Sequence, residues 1–355
     1  MSRQITDIPD SILTTFRKGC VIPAMPLALN QDRSVDWIHQ RALCRYYIDA
    51  GAGGIAVAVH TTQFEIRSPE FNLFQPVLKN VSQYIDQWER HRSQKILRIC
   101  GICGRTPQAL DEARIAIENN YHAGLLSMAA WADGSIDQML EHCNAVAQQI
   151  PIIGFYLQPS VGGRALPYEF WRDFAKIPNV LGIKIAPFNR YGTLDVVRAV
   201  CEADNDISLY TGNDDNIVND LIANYQFGSV SRRFVGGLLG HWCCWTKNAV
   251  ELLDKIHAIN QASEPIPQEI LTLANEITDC NAAFFDPKHN FKGCIAGVHE
   301  VLRRQGLMKG IWCLDKNETL SPGQADEITR VHKQYPHLND DQFVAQNLKA
   351  WLEHP

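Results

Sequence analysis

The 355 residues hold 33 Lys+Arg against 39 Asp+Glu, a net charge of -6, and 46% of them are hydrophobic. No window combines clustered basic residues with interleaved aromatics, which argues against a nucleic-acid partner, and the apolar content is enough for one large core. Residues 1–17 lack the apolar core of a signal peptide and no stretch reaches ~18 uncharged apolar residues, so a cytoplasmic protein with no membrane partner is expected.

Eight short apolar runs recur along the chain, at 20–29, 54–59, 96–102, 124–128, 152–157, 180–186, 207–210 and 228–235. Segments of helical period separate most of them: Leu110, Ala113, Ile117 and Tyr121 share one face, as do Ile136, Met139, Cys143 and Val146. Thr106 before Pro107, Ser135 and Thr193 stand where helix caps are expected. Strands alternating with helices make a parallel sheet, and eight such units close most economically into a (β/α)8 TIM barrel. The reading is therefore an N-terminal segment 1–18, a barrel 19–245, a helical C-terminal subdomain 246–335 and a tail 336–355. The tail ends in an amphipathic stretch, Asn347 to Leu352, expected to dock on the body or on a neighbour. Eleven cysteines scattered through apolar runs predict reduced, buried thiols rather than a disulfide framework, the Cys100 and Cys103 pair included.

Chemistry concentrates in the sixth run. In Val180-Leu181-Gly182-Ile183-Lys184-Ile185-Ala186, a period of two places Gly182, Lys184 and Ala186 on one face, with the bulky residues on the other. Lys184 then meets a hollow above its stem, where desolvation lowers its pKa toward the range in which a neutral amine attacks a carbonyl. The same alternation in the fifth run groups Ile152, Gly154 and Tyr156, which sets Tyr156 beside Lys184 as a proton carrier. Arg232-Arg233 is expected to follow the eighth strand at the catalytic rim.

From about residue 15 to about residue 335 the chain resembles the dihydrodipicolinate synthase and N-acetylneuraminate lyase superfamily of Schiff-base-forming class I aldolases. Gly182-Ile183-Lys184 looks like its G-I-K with the imine-forming lysine, and Phe155-Tyr156-Leu157-Gln158-Pro159 like its Y-N-x-P with the catalytic tyrosine. Val59-His60-Thr61-Thr62-Gln63-Phe64 is similar to its G-T-T-G-E loop, where the first threonine relays protons and the pair holds the substrate carboxylate. Thr211-Gly212-Asn213-Asp214-Asp215 resembles its S-G-D-D turn. The resemblance implies a lyase, of aldolase or hydro-lyase type, acting on a 2-oxo acid such as pyruvate or on a keto-deoxy sugar acid. Lys184, Tyr156 and Thr61 would be catalytic, and Thr62, His60, Trp131 and Gly212 would bind substrate. It also implies a homotetramer or dimer with sites near an interface. No metal or dissociable cofactor is called for, because the protonated imine is itself the electron sink.

Several positions depart from the family pattern. His60 and Gln63 replace two glycines and Phe64 replaces the glutamate, so side chains are expected where a carboxylate approaches bare backbone. Trp131 stands where the synthases have a tyrosine that reaches a neighbouring subunit's site. Val161 stands where they have an arginine for the second substrate's carboxylate, and Arg164 lies three residues on. Two alternatives stay open on these grounds: a metabolite-binding barrel without turnover, and a metal-dependent barrel lyase using His60, Asp214 and His241.

Overall fold

The computed structural model describes residues 2–90, 92, 95–203, 205–262 and 265–353. Eight parallel strands follow in chain order: β1 (Val21–Pro23), β2 (Gly54–Val57), β3 (Leu97–Ile102), β4 (Ala123–Ser127), β5 (Ile152–Leu157), β6 (Val180–Ala186), β7 (Ser208–Thr211) and, after a small antiparallel hairpin, β10 (Phe234–Leu239). The hairpin, β8 (Tyr225–Phe227) with β9 (Val230–Arg232), lies outside the barrel sheet. The sheet order is β1-β10-β7-β6-β5-β4-β3-β2, and Met25 N donating to Ala56 O (2.8 Å) and Gly53 N to Val21 O (3.0 Å) close the ring between β1 and β2. The expected barrel with helical additions at the C-terminus is therefore the architecture found.

The eighth strand is the exception in placement. The apolar run at 228–235 covers the hairpin turn and only the first residues of β10, whose Gly236-Gly237 pair interrupts the apolar signal just where the strand begins. Arg232 and Arg233 consequently precede the strand, at the opposite end of the barrel from the catalytic rim; Arg233 donates to Ile222 O (2.9 Å) and Asn260 Oδ1 (3.1 Å).

Helices cover the sheet: α1 (Asp10–Lys18), α2 (Trp37–Ala50), α3 (Phe74–Glu89), α4 (Thr106–Glu118), α5 (Ile136–Ala147), α6 (Tyr168–Phe174), α7 (Arg190–Ala203), α8 (Ile217–Ile222) and α9 (Thr246–Gln261). Beyond them, α10 (Gln268–Phe285), α11 (Cys294–Arg304) and α12 (Gln324–Gln334) pack on one another, and α13 (Asp341–Leu352) returns to α2. Of the expected caps, Ser135 accepts from Gln138 N (3.2 Å) at α5. Thr106 instead pairs its hydroxyl with His142 Nδ1 (3.0 Å), and Thr193 lies inside α7, bonded to Asn189 O, because α4 begins at Thr106 itself, after Arg105, and α7 begins at Arg190. The tail docks on the chain's own body, with Trp351 buried and donating to Asp49 Oδ2 (2.8 Å).

One core fills the space between sheet and helices and a second fills the barrel lumen. Helix α1 closes the N-terminal end of that lumen: Ile12 and Phe16 insert into it, and the Phe16 ring stacks on Tyr210 at 4.5 Å. All eleven cysteines are free thiols, and no helix among the described residues is long and apolar enough to cross a membrane.

Candidate active site

At the carboxyl ends of the strands the lumen opens into a pocket of about 50 Å³, enough for a few waters or one three-carbon acid. Lys184 rises into it from β6, with Gly212 and Ala186 beside its stem. A Cβ on Gly212 would stand 2.7 Å from Lys184 Cε and 2.7 Å from Ala186 Cβ, so the absence of a side chain there is what leaves the amine its path. Lys184 is 8% exposed, and its Nζ sits 4.4 Å from the centre of the Phe155 ring. No hydrogen bond or ion pair to Nζ occurs among the described residues. Burial pushes its pKa down to about 8, opposed by the negative charge of Asp214.

Asp214, at the end of β7, is the carboxylate of this pocket. Its Oδ1 accepts from His241 N (2.9 Å), and burial raises its pKa against that bond and the charge of Lys184. His60 is the third titratable group: burial first, then Lys184, hold it at about 4, so the imidazole is neutral at pH 7 and offers one nitrogen as a hydrogen-bond acceptor and the other as a donor. Gln158 completes the polar lining from the end of β5. Sequence reasoning gave Asp214 only a loop or metal role and Gln158 none, although both stand at the ends of barrel strands, where catalytic residues gather.

The structure does not bring Tyr156 to Lys184. The register pairs Phe155 with Lys184, and Ile153, Phe155 and Leu157 face the lumen, whereas Tyr156 points outward against Trp171 with its ring 5.3 Å away. Its hydroxyl accepts from Leu166 N (3.3 Å) and lies against Gly192 of α7. The error is one of phase: a barrel strand is apolar on both faces, so period two alone cannot say which face is inside.

Thr61 lines the pocket, its Oγ1 donating to Ala24 O (2.6 Å). Thr62 does not; its Oγ1 donates to Met25 O (2.7 Å) and accepts from Val59 N (3.3 Å), which ties the loop after β2 to the end of β1. Of the three changed positions in this loop, only His60 enters the pocket. Gln63 keeps a backbone that glycine favours (φ 71°), at a cost of about 1–3 kcal/mol, and reaches away to accept from Leu314 N (2.5 Å). Trp131 also lies elsewhere, between the Arg105 guanidinium (4.5 Å) and His142 (5.0 Å), because the short helix after β4 turns its ring toward α5. Arg164 donates to Trp131 O and Gly134 O and bypasses the pocket, which leaves Val161 on the wall with no guanidinium near it. Among the described residues no group of three or more His, Cys, Asp or Glu could hold a metal ion, so His60, Asp214 and His241 do not form a ligand set.

A strand-end lysine facing a pocket inside an eight-stranded barrel agrees with the comparisons. The family model described as the dihydrodipicolinate synthetase family matches residues 17–278. The chain belongs to this family.

Its curated relatives include the 4-hydroxy-tetrahydrodipicolinate synthase of Alcanivorax borkumensis, 25% identical over 73% of this chain and 84% of the relative. The corresponding enzyme of Aromatoleum aromaticum is 27% identical over 54% of this chain, and the match spans only 62% of that relative, less than two thirds. Among solved structures, dihydrodipicolinate synthase from Oceanobacillus iheyensis superposes with a TM-score of 0.74 at 16% identity, covering 92% of this chain and all of that one. N-acetylneuraminate lyase from Mycoplasma synoviae gives 0.68 at 15% identity, over 90% and 98% of the two chains. A prophage protein of the family from E. coli K12, solved with pyruvate, gives 0.72 at 15%, over 89% and 98%. At these identities the structures show a shared fold.

Proposed function

We propose that the protein is a lyase that forms an imine between Lys184 and the keto carbon of a small 2-oxo acid, pyruvate being the first to test. The observation that carries this is the Lys184 amine itself, buried, without a hydrogen-bond partner among the described residues, and aimed into a pocket of three-carbon size. Burial keeps a useful fraction of the amine neutral at physiological pH, and only the neutral amine attacks a carbonyl. The attack gives a carbinolamine; a proton delivered to its hydroxyl lets water leave and the imine form. His60 and Asp214 are the groups placed to move those protons, in the role the sequence pattern assigns to a tyrosine. The Gln158 amide can donate to the acid's oxygens, while Thr61 Oγ1, its proton given to Ala24 O, can accept from the carbinolamine hydroxyl. The pyruvate bound to the E. coli K12 relative supports the choice of probe.

Borohydride added with pyruvate should inactivate the protein and add the reduced ligand to the peptide containing Lys184, and Lys184→Ala should show neither. Labelling at another lysine, or none across a panel of 2-oxo acids and keto-deoxy sugar acids, would overturn the proposal. One observation favours a second reading, a barrel that captures a keto acid without turnover: the aromatic ring next to Lys184 is Phe155, which has no hydroxyl. Imine trapping without any C–C bond made or broken would select it. A cytoplasmic setting and a homo-oligomer belong to the same proposal, the first supported by eleven unpaired thiols. Gel filtration coupled to light scattering tests the second.

A further inference from the structure

Most residues lining the pocket are buried, but four keep a minor part of their surface exposed and therefore form its mouth: His60, Val161, Phe188 and Phe291. Three of the four are apolar, and no lysine or arginine joins them. Phe188, on the loop after β6, and Phe291, on the loop between α10 and α11, meet edge to face with their centres 5.8 Å apart. Both hold a left-handed backbone, φ 49° and 63°, which a bulky side chain rarely adopts.

Each strained position is tied down by buried polar groups. Phe188 N donates to Asn213 Oδ1 (3.1 Å), and Asn213 Nδ2 in turn donates to Asp220 (2.9 Å) and Thr193 (3.2 Å). Phe291 N donates to Asp286 O (3.0 Å), and the Asp286 carboxylate accepts from Gly293 N (3.2 Å) and Ser321 Oγ. Two separate hydrogen-bonded anchors thus hold two phenyl rings over one opening, and strain of this kind persists only where the surroundings impose it. Behind the rings, Phe285 and Leu157 continue the apolar wall, while the space beside Lys184 admits little more than a three-carbon acid.

We propose that Phe188 and Phe291 determine specificity, admitting as the second reactant an aromatic or branched apolar aldehyde in preference to a polyhydroxylated or carboxylated one. The inference rests on imine formation at Lys184. In the reaction, the enamine carbon of the Lys184-bound pyruvate forms a bond to the aldehyde carbon, and the aldehyde oxygen takes up a proton. Water then hydrolyses the imine, releasing a 4-hydroxy-2-oxo acid with an aryl or alkyl group at C4 and restoring the amine; the reverse reaction cleaves the same bond. An aldehyde rich in hydroxyls would leave them unpaired against phenyl rings, and a carboxylated one meets Val161 where it needs a guanidinium.

The experiment measures kcat/KM for pyruvate condensation with benzaldehyde, glyceraldehyde and aspartate semialdehyde. Benzaldehyde should lead by roughly 10–100-fold, the range an apolar pocket achieves. Phe188→Ala and Phe291→Ala should each shrink that lead, and Val161→Arg should raise the relative rate with aspartate semialdehyde. If pyruvate is trapped on Lys184 but glyceraldehyde or aspartate semialdehyde is preferred, the inference is wrong and the imine reading stands. If nothing is trapped, the imine reading fails. The inference is then tested alone by ligand-detected NMR on Lys184→Ala, where benzaldehyde must bind more tightly than glyceraldehyde and lose that advantage in the two phenylalanine variants. Equal binding of the two aldehydes overturns it.

Discussion

The two ends of the barrel differ in how they treat backbone strain and polar groups. In the described turns at the N-terminal end, the left-handed positions fall on Gly19, Gly51, Asn120, Asn179 and Gly228, residue types that adopt this backbone with little cost. At the carboxyl end, where the pocket lies, Asn72, Gly104 and Gly162 do the same, but Arg33, Ala58, Gln63, Phe188 and Trp245 also take this conformation, with side chains that resist it. The lumen follows the same division. Its lower part is filled by Phe16 and its neighbours, and the hydroxyl of Tyr210 is satisfied by Phe16 O at 2.7 Å. Its upper part leaves the Lys184 amine without a partner among the described residues, with His60 and Asp214 around it. One end is packed for stability, and the other keeps an amine with no partner among the described residues.

Removing the amine is the sharpest way to break this contrast. Lys184→Ala should lower turnover by about 10⁴-fold or more, as loss of a covalent nucleophile does, measured on the substrate that traps best. Lys184→Met should meanwhile raise the melting temperature. Because burial lowers the folded-state pKa below its unfolded value, protonated lysine destabilises the fold at neutral pH; the penalty is full below about 8, fades as pH rises from there and is gone above the unfolded value of about 10.4. The melting-temperature gap between Lys184→Met and the wild type should therefore be wide at pH 7 and narrow at pH 10.5. The trapping rate with pyruvate should climb with pH and level off near 8; a climb continuing past 10 would mean an ordinary lysine.

At the other end, Phe16→Ala should cost about 3–5 kcal/mol in denaturant unfolding, by removing a fully buried ring between Tyr210 and Gly182. The folded fraction should still trap pyruvate at Lys184. A variant that unfolds little but stops trapping would show that the two ends are not separable.

Asp214→Asn probes the electrostatics that join the pocket's groups. The carboxylate raises the pKa of Lys184, so its loss lowers that pKa further and moves the pH limb of trapping to lower pH. The rate on the plateau should fall by about 10²-fold if Asp214 carries protons to the carbinolamine. A shifted limb with no fall in rate would leave proton transfer to His60.

The sequence made most of the scaffold legible because strand and helix periods are local. Seven strands fall where their apolar runs lie, and Lys184 faces the lumen as the small residues Gly182 and Ala186 foretell. What it obscured depends on distant partners. The eighth strand hides behind a hairpin of its own apolar residues and a Gly236-Gly237 pair. Gln63 looks like an intrusion into the pocket until Leu314, some 250 positions away, appears as its partner. Trp131 and Thr62 sit on the expected loops but turn elsewhere, a choice made by Arg105, His142 and Met25.

Tyr156 offers the smallest effect and the finest test of which face of β5 looks inward. If its hydroxyl served the imine, Tyr156→Phe would cost about 10²–10⁴-fold in rate, the usual worth of a positioned acid or base. In the structure that hydroxyl lies behind the sheet, accepting from Leu166 N and touching Gly192, while Phe155 occupies the place beside the amine. Its removal should then change kcat/KM by no more than about twofold, a fraction of a kcal/mol. The lost hydrogen bond should appear instead in stability, at about 1 kcal/mol, because the Leu166 amide is buried and keeps no other acceptor in its place. Phe155→Ala is the counterpart on the inner face: it removes the ring over Lys184 Nζ, opens the amine to water and should raise the pH at which trapping levels off. A large kinetic loss in Tyr156→Phe with none in Phe155→Ala would reverse the assignment of the two faces.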